Sequence, residues 1–219
     1  MTDGAAAPLA LVAIGALGQA CFFSRFLLQW LASERAKRSS TPSTFWRFSL
    51  AGTALSGVYA WLGERDLVFA IGYAFNLPLY GRNLALSRRG ARPLPAAAAF
   101  ALGAAAAAGA AALLLRDPRL REALGERSDA WLAVGFAGQA IWSSRFLVQW
   151  LQAERSGSAR LTRTFFVLTL AGWAGLFPYA IHLRSGVFVV GLLLTPFVAI
   201  RNLVLFRRGE APPRDAAVA

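Results

Sequence analysis

Arg25 and Gln29 stand one helical turn apart within an otherwise apolar run, and Arg145 and Gln149 repeat the pair in a second run further along the chain. An arginine inside a segment of hydrocarbon length is expensive to bury, and packing alone rarely demands it twice. Its guanidinium donates hydrogen bonds as a planar fork that matches a phosphate or pyrophosphate, and a glutamine at i+4 shares its helix face. Trp30 and Trp150 follow the glutamines directly. A second polar set, Arg82-Asn83 and Arg201-Asn202, closes a later apolar run in each half, at about the same expected membrane level. If the helices bearing these groups face one another, the guanidiniums and amides converge near the cytoplasmic leaflet, which is the chemistry of a headgroup site for a phospholipid or lipid-linked sugar.

Two plainer explanations compete with that reading. Arg25 lies roughly 9 Å short of the end of its span at 1.5 Å per residue, within snorkelling reach, so arginine and tryptophan would also serve as interfacial anchors. Glu34 with Arg82, mirrored by Glu154 with Arg201, would make local salt bridges of purely structural value. Tyr59 and Tyr179 occupy matching positions suited to stacking on a sugar ring, although such aromatics are more often core or belt residues. Asn76 is polar at depth, and Pro78, Pro178 and Pro196 interrupt their runs, as at transport sites where backbone carbonyls are freed.

The elements that carry these residues come from a tandem duplication: the block from Gly18 to Glu34 returns as Gly138 to Glu154. With 57% hydrophobic and 16% charged residues and a mean hydropathy of +0.48, the chain has the balance of a multi-span membrane protein. Apolar runs near 8–32, 46–63, 66–86, 95–115, 130–152, 164–183 and 186–206 approach the roughly 20 residues needed to cross a bilayer. The net charge of +12 resides in short clusters between these runs, which fits positive-inside topology better than nucleic-acid binding. One cysteine, Cys21, and one histidine, His182, offer no disulfide framework and no metal-ligand set, and no cofactor is expected. No basic residue precedes the first run, which holds the repeat motif, so it is read as a retained span and not a cleaved signal.

Basic clusters from Arg35 to Arg47 and Arg82 to Arg92, repeated as Arg155 to Arg163 and Arg201 to Arg214, place the N-terminus outside and the C-terminus in the cytoplasm. The segment 116–129, where arginines alternate with acids, falls outside. A three-span unit begins and ends on opposite faces, yet both copies carry the same charge pattern, so an odd number of spans must separate them. The Ala/Gly-rich stretch Ala96 to Leu115 supplies one. The expected fold is all-α with seven transmembrane helices in a 3+1+3 plan, two parallel three-helix bundles around a linker, a repeat class found among transporters. The divisions are 8–92 for the first repeat, 93–129 for the linker helix and external loop, 130–208 for the second repeat and 209–219 for a cytoplasmic tail. Two bundles in one chain favour a monomer.

The strings Gly18-Gln19, Ser24-Arg25-Phe26, Gln29-Trp30, Ser33-Glu34, Ser40-Thr41-Pro42, Phe45-Trp46, Tyr59-Ala60, Asp66-Leu67-Val68-Phe69 and Arg82-Asn83-Leu84 resemble the lipid-A-disaccharide synthase N-terminal domain family. The resemblance covers residues 15–86 and, more weakly, 135–205, where Thr162 replaces Pro42, Phe166 replaces Trp46, Thr195 replaces Asn76, and Gly186 stands in the Asp66 region beside a one-residue deletion. That family is similar in architecture to PQ-loop and SWEET-type transporters. The resemblance implies lipid A or lipid-linked-sugar metabolism at a bacterial inner membrane, with a membrane lipid or lipid-linked sugar as ligand and a glycosyltransferase as partner. It does not imply catalysis, since the chain has no alternating strand-helix pattern and no glycine-rich phosphate loop. Translocation of a glycolipid, anchoring of a transferase and carriage of a free sugar are the competing functions, and the last has no need of buried arginines.

Overall fold

The computed structural model describes residues 7–36, 42–87, 95–125, 129–156 and 161–207, and among these the chain is helical with short turns and no strand. The first copy builds α1 (Leu9–Ala36), α2 (Ser43–Val58) and α3 (Leu67–Leu86). α4 (Ala96–Leu114) and the short α5 (Pro118–Gly125) follow, so the segment expected as an external loop contains a helix. The second copy builds α6 (Asp129–Ser156), α7 (Arg163–His182), α8 (Gly186–Leu193) and α9 (Thr195–Arg207). Three stretches, Leu9–Gln29, Arg163–His182 and Gly186–Val204, are long and apolar enough to cross a membrane. In other runs polar groups dilute the hydropathy: α6 contains Asp129, Gln139, Arg145 and Gln149 within a helix of 28 residues.

The prolines behave differently from one another. α3 and α7 run unbroken through Pro78 and Pro178, contrary to the expected interruptions, whereas the last apolar run divides at Leu194. Pro196 has no N–H to offer the carbonyl of Leu192, and that carbonyl instead accepts the indole N–H of Trp173 at 3.0 Å. A side chain from the neighbouring helix, together with the Leu194 N–H at the helix end, thus supplies donors to the carbonyl that proline cannot serve.

The copies also differ in how they turn into their third helix. Arg65 and Arg184 both take left-handed backbone, with φ of 50° and 55°, and mark equivalent positions. Counted back from them, the first copy holds one extra residue, which is absorbed by a single π-helical turn, Tyr59–Gly63. Asp66 and Ser185 then sit at the N-caps of α3 and α8, so Ser185 and not Gly186 is the counterpart of Asp66. Asp66 caps with its side chain, Oδ1 accepting from the Phe69 N–H at 2.8 Å.

Within each copy the first two helices approach closely at glycines. A Cβ on Gly138 would stand 2.9 Å from the Leu176 nitrogen, and one on Gly172 would stand 2.7 Å from Trp142 Cα. Between the copies α3 packs on α6 and α1 on α8, with Gly72 beneath Gln139 and Gly191 beneath Gln19. Two apolar cores result, one around Tyr59, Phe69, Tyr179 and Phe188 and one around Trp46, Tyr80, Phe146 and Phe165. Each draws on both copies, so the copies form one body.

Gly138→Ala should destabilise the protein by about 1–3 kcal/mol, because backbone cannot yield to the new methyl as a flexible side chain can. Gly81→Ala, with nothing within 4 Å of its Cβ position, should leave the thermal midpoint of the detergent-solubilised protein unchanged or higher.

Candidate functional site

Arg25 and Arg145 are both buried, at 4% and 2% exposure, and border one interior cavity of about 50 Å³ between the copies. The local geometry is a near repeat. Arg25 Nη1 donates to Ser49 Oγ at 3.1 Å, and Arg145 Nη1 donates to Thr169 Oγ1 at 3.1 Å. Each hydroxyl gives its own proton to the carbonyl four residues back, Phe45 or Phe165, at 2.7 Å. With the hydroxyl hydrogen committed, its oxygen is left as a pure acceptor for the guanidinium.

Aromatic faces supply much of the remaining stabilisation. Arg25 Cζ lies 4.7 Å from the Phe22 ring and 4.8 Å from Phe26, and Arg145 Cζ lies 3.4 Å from Trp142. The Phe146 ring serves both cations, at 5.7 Å from Arg25 and 4.6 Å from Arg145. None of the recorded partners of either guanidinium among the described residues is a carboxylate, and both Nε atoms are buried without a hydrogen-bond partner. Two charges held close together by neutral groups leave a positive potential that an anion would relieve.

The cavity is small, with room for one or two waters. Gln19, Phe22, Phe26, Gly191 and Thr195 also line a much larger cleft, about 1570 Å³, between α1 and α8–α9. At the far end of that cleft stand Glu64, Arg65 and Arg184. Glu64 accepts a hydrogen bond from the Tyr59 hydroxyl.

Of the residues singled out from sequence, Arg25, Arg145 and Asn76 meet at the cavity, and Asn76 Oδ1 is buried there without a hydrogen-bond partner. Gln149 and Asn83 do not border it: Gln149 Nε2 donates to Asn83 Oδ1 at 3.1 Å, pinning α6 to α3. Asn83 and Asn202 each donate to the carbonyl one turn back, Leu79 and Val198. Gln29 is buried outside the cavity and cleft, and Arg82, partly buried, and Arg201, exposed, border neither. Trp150 is fully buried, so it is a core residue with no face for a sugar and no place at an interface. Tyr179 is likewise enclosed, donating to Asp66 Oδ2 at 2.6 Å across the copies, whereas Tyr59 edges the cleft. The side chains of Trp30, Glu34 and Glu154 lie outside those described.

Sequence reasoning missed Gln19, Gln139, Tyr73, Tyr80 and Trp142 as cavity residues. A signal existed for the glutamines: both recur at one register ahead of the arginines, opposite the recurrent Gly72 and Gly191. Tyr80 carried none, because its counterpart, two residues before the Arg-Asn pair, is Ala199. Its hydroxyl accepts from Arg25 Nη1 at 3.5 Å, a contact that the second copy lacks the side chain to repeat.

Thr169→Val should destabilise the fold by about 1.5–3 kcal/mol, the worth of a hydrogen bond to a charged group. Thr169→Ser keeps the oxygen and should stay within about 1 kcal/mol in the same unfolding measurement.

Comparison with known proteins places these residues in context. The profile of a family described as the lipid A biosynthesis N-terminal domain matches residues 14–85 and again residues 134–204. A lipid-A-disaccharide synthase of Chlamydia felis is 25% identical over 214 residues, covering 91% of this chain and 34% of its own length. The enzyme of the same name from Chlamydia pneumoniae is 27% identical over 205 residues, covering 90% of this chain and 33% of its own. The chain therefore spans about a third of the length of the curated relatives it matches. No solved structure matches it.

Proposed function

The chain belongs to the lipid A biosynthesis N-terminal domain family, which it carries in two copies, and on that premise we propose that it binds a phosphate-bearing glycolipid or polyprenyl-linked sugar and moves it across the membrane. The observation that carries this reading is the pair of buried arginines, Arg25 and Arg145, held by hydroxyls and aromatic rings and facing one cavity. A neutral sugar has no use for two desolvated cations, whereas a phosphate neutralises them and accepts their free N–H groups. The cleft shares Gln19, Phe22, Phe26, Gly191 and Thr195 with the cavity and extends along α1, which supports a path for a headgroup while its lipid stays in the bilayer.

The reading takes the seven apolar runs as spans of a 3+1+3 plan in a bacterial inner membrane, with the N-terminus outside and the C-terminus in the cytoplasm. Residues 8–92 and 130–208 are the repeats, 93–129 the linker and 209–219 the tail, and one chain makes the working unit. Rocking of one copy against the other about the shared cavity would alternate its access, as in other paired-bundle transporters.

A second reading is favoured by the relatives. Their shared name is that of the disaccharide synthase, and this reading makes the chain a membrane subunit or anchor of lipid A disaccharide biosynthesis, associated with a glycosyltransferase. That reading expects a stable complex with a soluble transferase and no lipid movement by the chain alone.

Native mass spectrometry on gently purified protein separates the two. The wild type should retain a phosphate-bearing glycolipid or lipid-linked sugar, and the Arg25→Gln/Arg145→Gln double variant should lose it by at least about tenfold, equivalent to about 1.4 kcal/mol. Equal retention of ordinary phospholipid by both proteins, with no glycolipid on either, would reduce the arginines to anchors and leave the partner reading standing.

A further inference from the structure

The two seams between the copies should be equivalent by the repeat, and they are not. The seam between α3 and α6 is shut by the Gln149–Asn83 hydrogen bond and by the Tyr80 ring set edge-on against Phe146, with centroids 4.6 Å apart. At the seam between α1 and α8–α9 the helix is broken at Leu194 and the long cleft opens instead, while Ala199, the counterpart of Tyr80, is buried in the second core and offers no ring to close it. Along α1 the cleft runs from Pro8 to Phe26, roughly 27 Å at 1.5 Å per residue, close to the ~30 Å hydrocarbon thickness of a bilayer.

Its chemistry is uneven along that length. Phe23, Val190, Leu194 and Phe197 line it with exposures of 54%, 66%, 46% and 70%, so its walls are apolar and open sideways. Arginines stand at or beside both ends. Arg65 and Arg184, one from each copy, stand with Glu64 at the mouth, both arginines on left-handed backbone. The floor adjoins Arg25 and Arg145 with their unpartnered Nε atoms. Between its ends the wall is mostly apolar, with Gln19 and Thr195 its polar side chains, which suits a hydrocarbon chain better than a free sugar, and a neutral lipid has no use for the guanidiniums.

We propose that the α1/α8–α9 seam is a lateral portal that seats the hydrocarbon chain of one phosphate-bearing lipid entering from the bilayer, its phosphate held by Arg65 and Arg184 at the mouth or Arg25 and Arg145 at the floor. The α3–α6 seam stays closed throughout. This deepens the function proposed above and rests on its reading of Arg25 and Arg145 as phosphate ligands.

The probe is farnesyl phosphate bearing a photoreactive diazirine at the end of its chain, added to the full chain in phosphatidylcholine nanodiscs, with labelled peptides identified by mass spectrometry. Label should fall on residues 16–26 and 187–198. Ala16→Trp/Ala20→Trp, which fills the cleft from two exposed wall positions, should reduce it at least about tenfold, and Arg65→Gln/Arg184→Gln severalfold. Label spread over α4 or the α3–α6 surface, or undiminished in the tryptophan variant, would overturn the portal. Tryptophan-sensitive label in the cleft that survives intact in Arg25→Gln/Arg145→Gln would instead strike out the floor station and the function reading with it, while keeping the cleft as the seat of the chain.

Discussion

Burying a guanidinium among apolar helices is the constraint on which the rest of this structure depends. A lone buried charge is tolerable only when its donors are met and its field is answered. Here part of the answer comes from a hydroxyl one helix away and from aromatic faces, in both copies: Ser49 with Phe22 and Phe26 around Arg25, Thr169 with Trp142 around Arg145, each Nε being left unmet. Those partners work only if α1 sits tightly on α2 and α6 on α7. The close approaches at Gly18, Gly52, Gly138 and Gly172 follow from that need, since a larger residue at any of them would push the hydroxyl away from the arginine.

The arginines also explain why the two copies share one interior. Phe146 belongs to the second copy yet lies against the guanidinium of the first, and Tyr80 of the first copy packs on Phe146. Polar joints across the copies add direction to this contact. Gln149 meets Asn83 at one end of the interface, and Tyr179 meets the capping carboxylate of Asp66 at the other. An apolar interface alone would slide; buried hydrogen bonds at two levels set its register.

Duplication supplies two copies of every element, and small departures from it give the molecule its asymmetry. One extra residue becomes a π-helical turn, Tyr80 becomes Ala199, and Leu77 becomes Pro196. The order of the helices is kept: the extra residue is absorbed by a wider turn, and the proline splits α8 from α9 while the Trp173 indole meets the Leu192 carbonyl. Among the described residues the two seams accordingly differ, one held by the Gln149–Asn83 bond and the other bordered by the long cleft, in a chain that is otherwise nearly symmetric.

The helices and the arginines at its heart were legible without a structure. Apolar runs of hydrocarbon length separated by basic clusters can hardly be anything but helices, and a polar residue repeated inside them announces itself by its expense. The duplication, too, was plain from the recurrence of Arg25, Gln29 and Trp30 as Arg145, Gln149 and Trp150. What the sequence left open was which repeated polar groups meet. Arg25, Gln29, Asn83, Arg145 and Gln149 look alike as intramembrane polar residues, yet the arginines face the cavity while Gln149 and Asn83 face each other. Trp150, which reads as a belt or stacking residue, is core. Helical periodicity assigns a residue to a face, but which neighbour that face meets depends on how helices far apart in the chain cross and pack. That information resides in the complementary shapes of glycines and rings brought together only by the fold, and it alone decided where the cavity lies and which seam opens onto it.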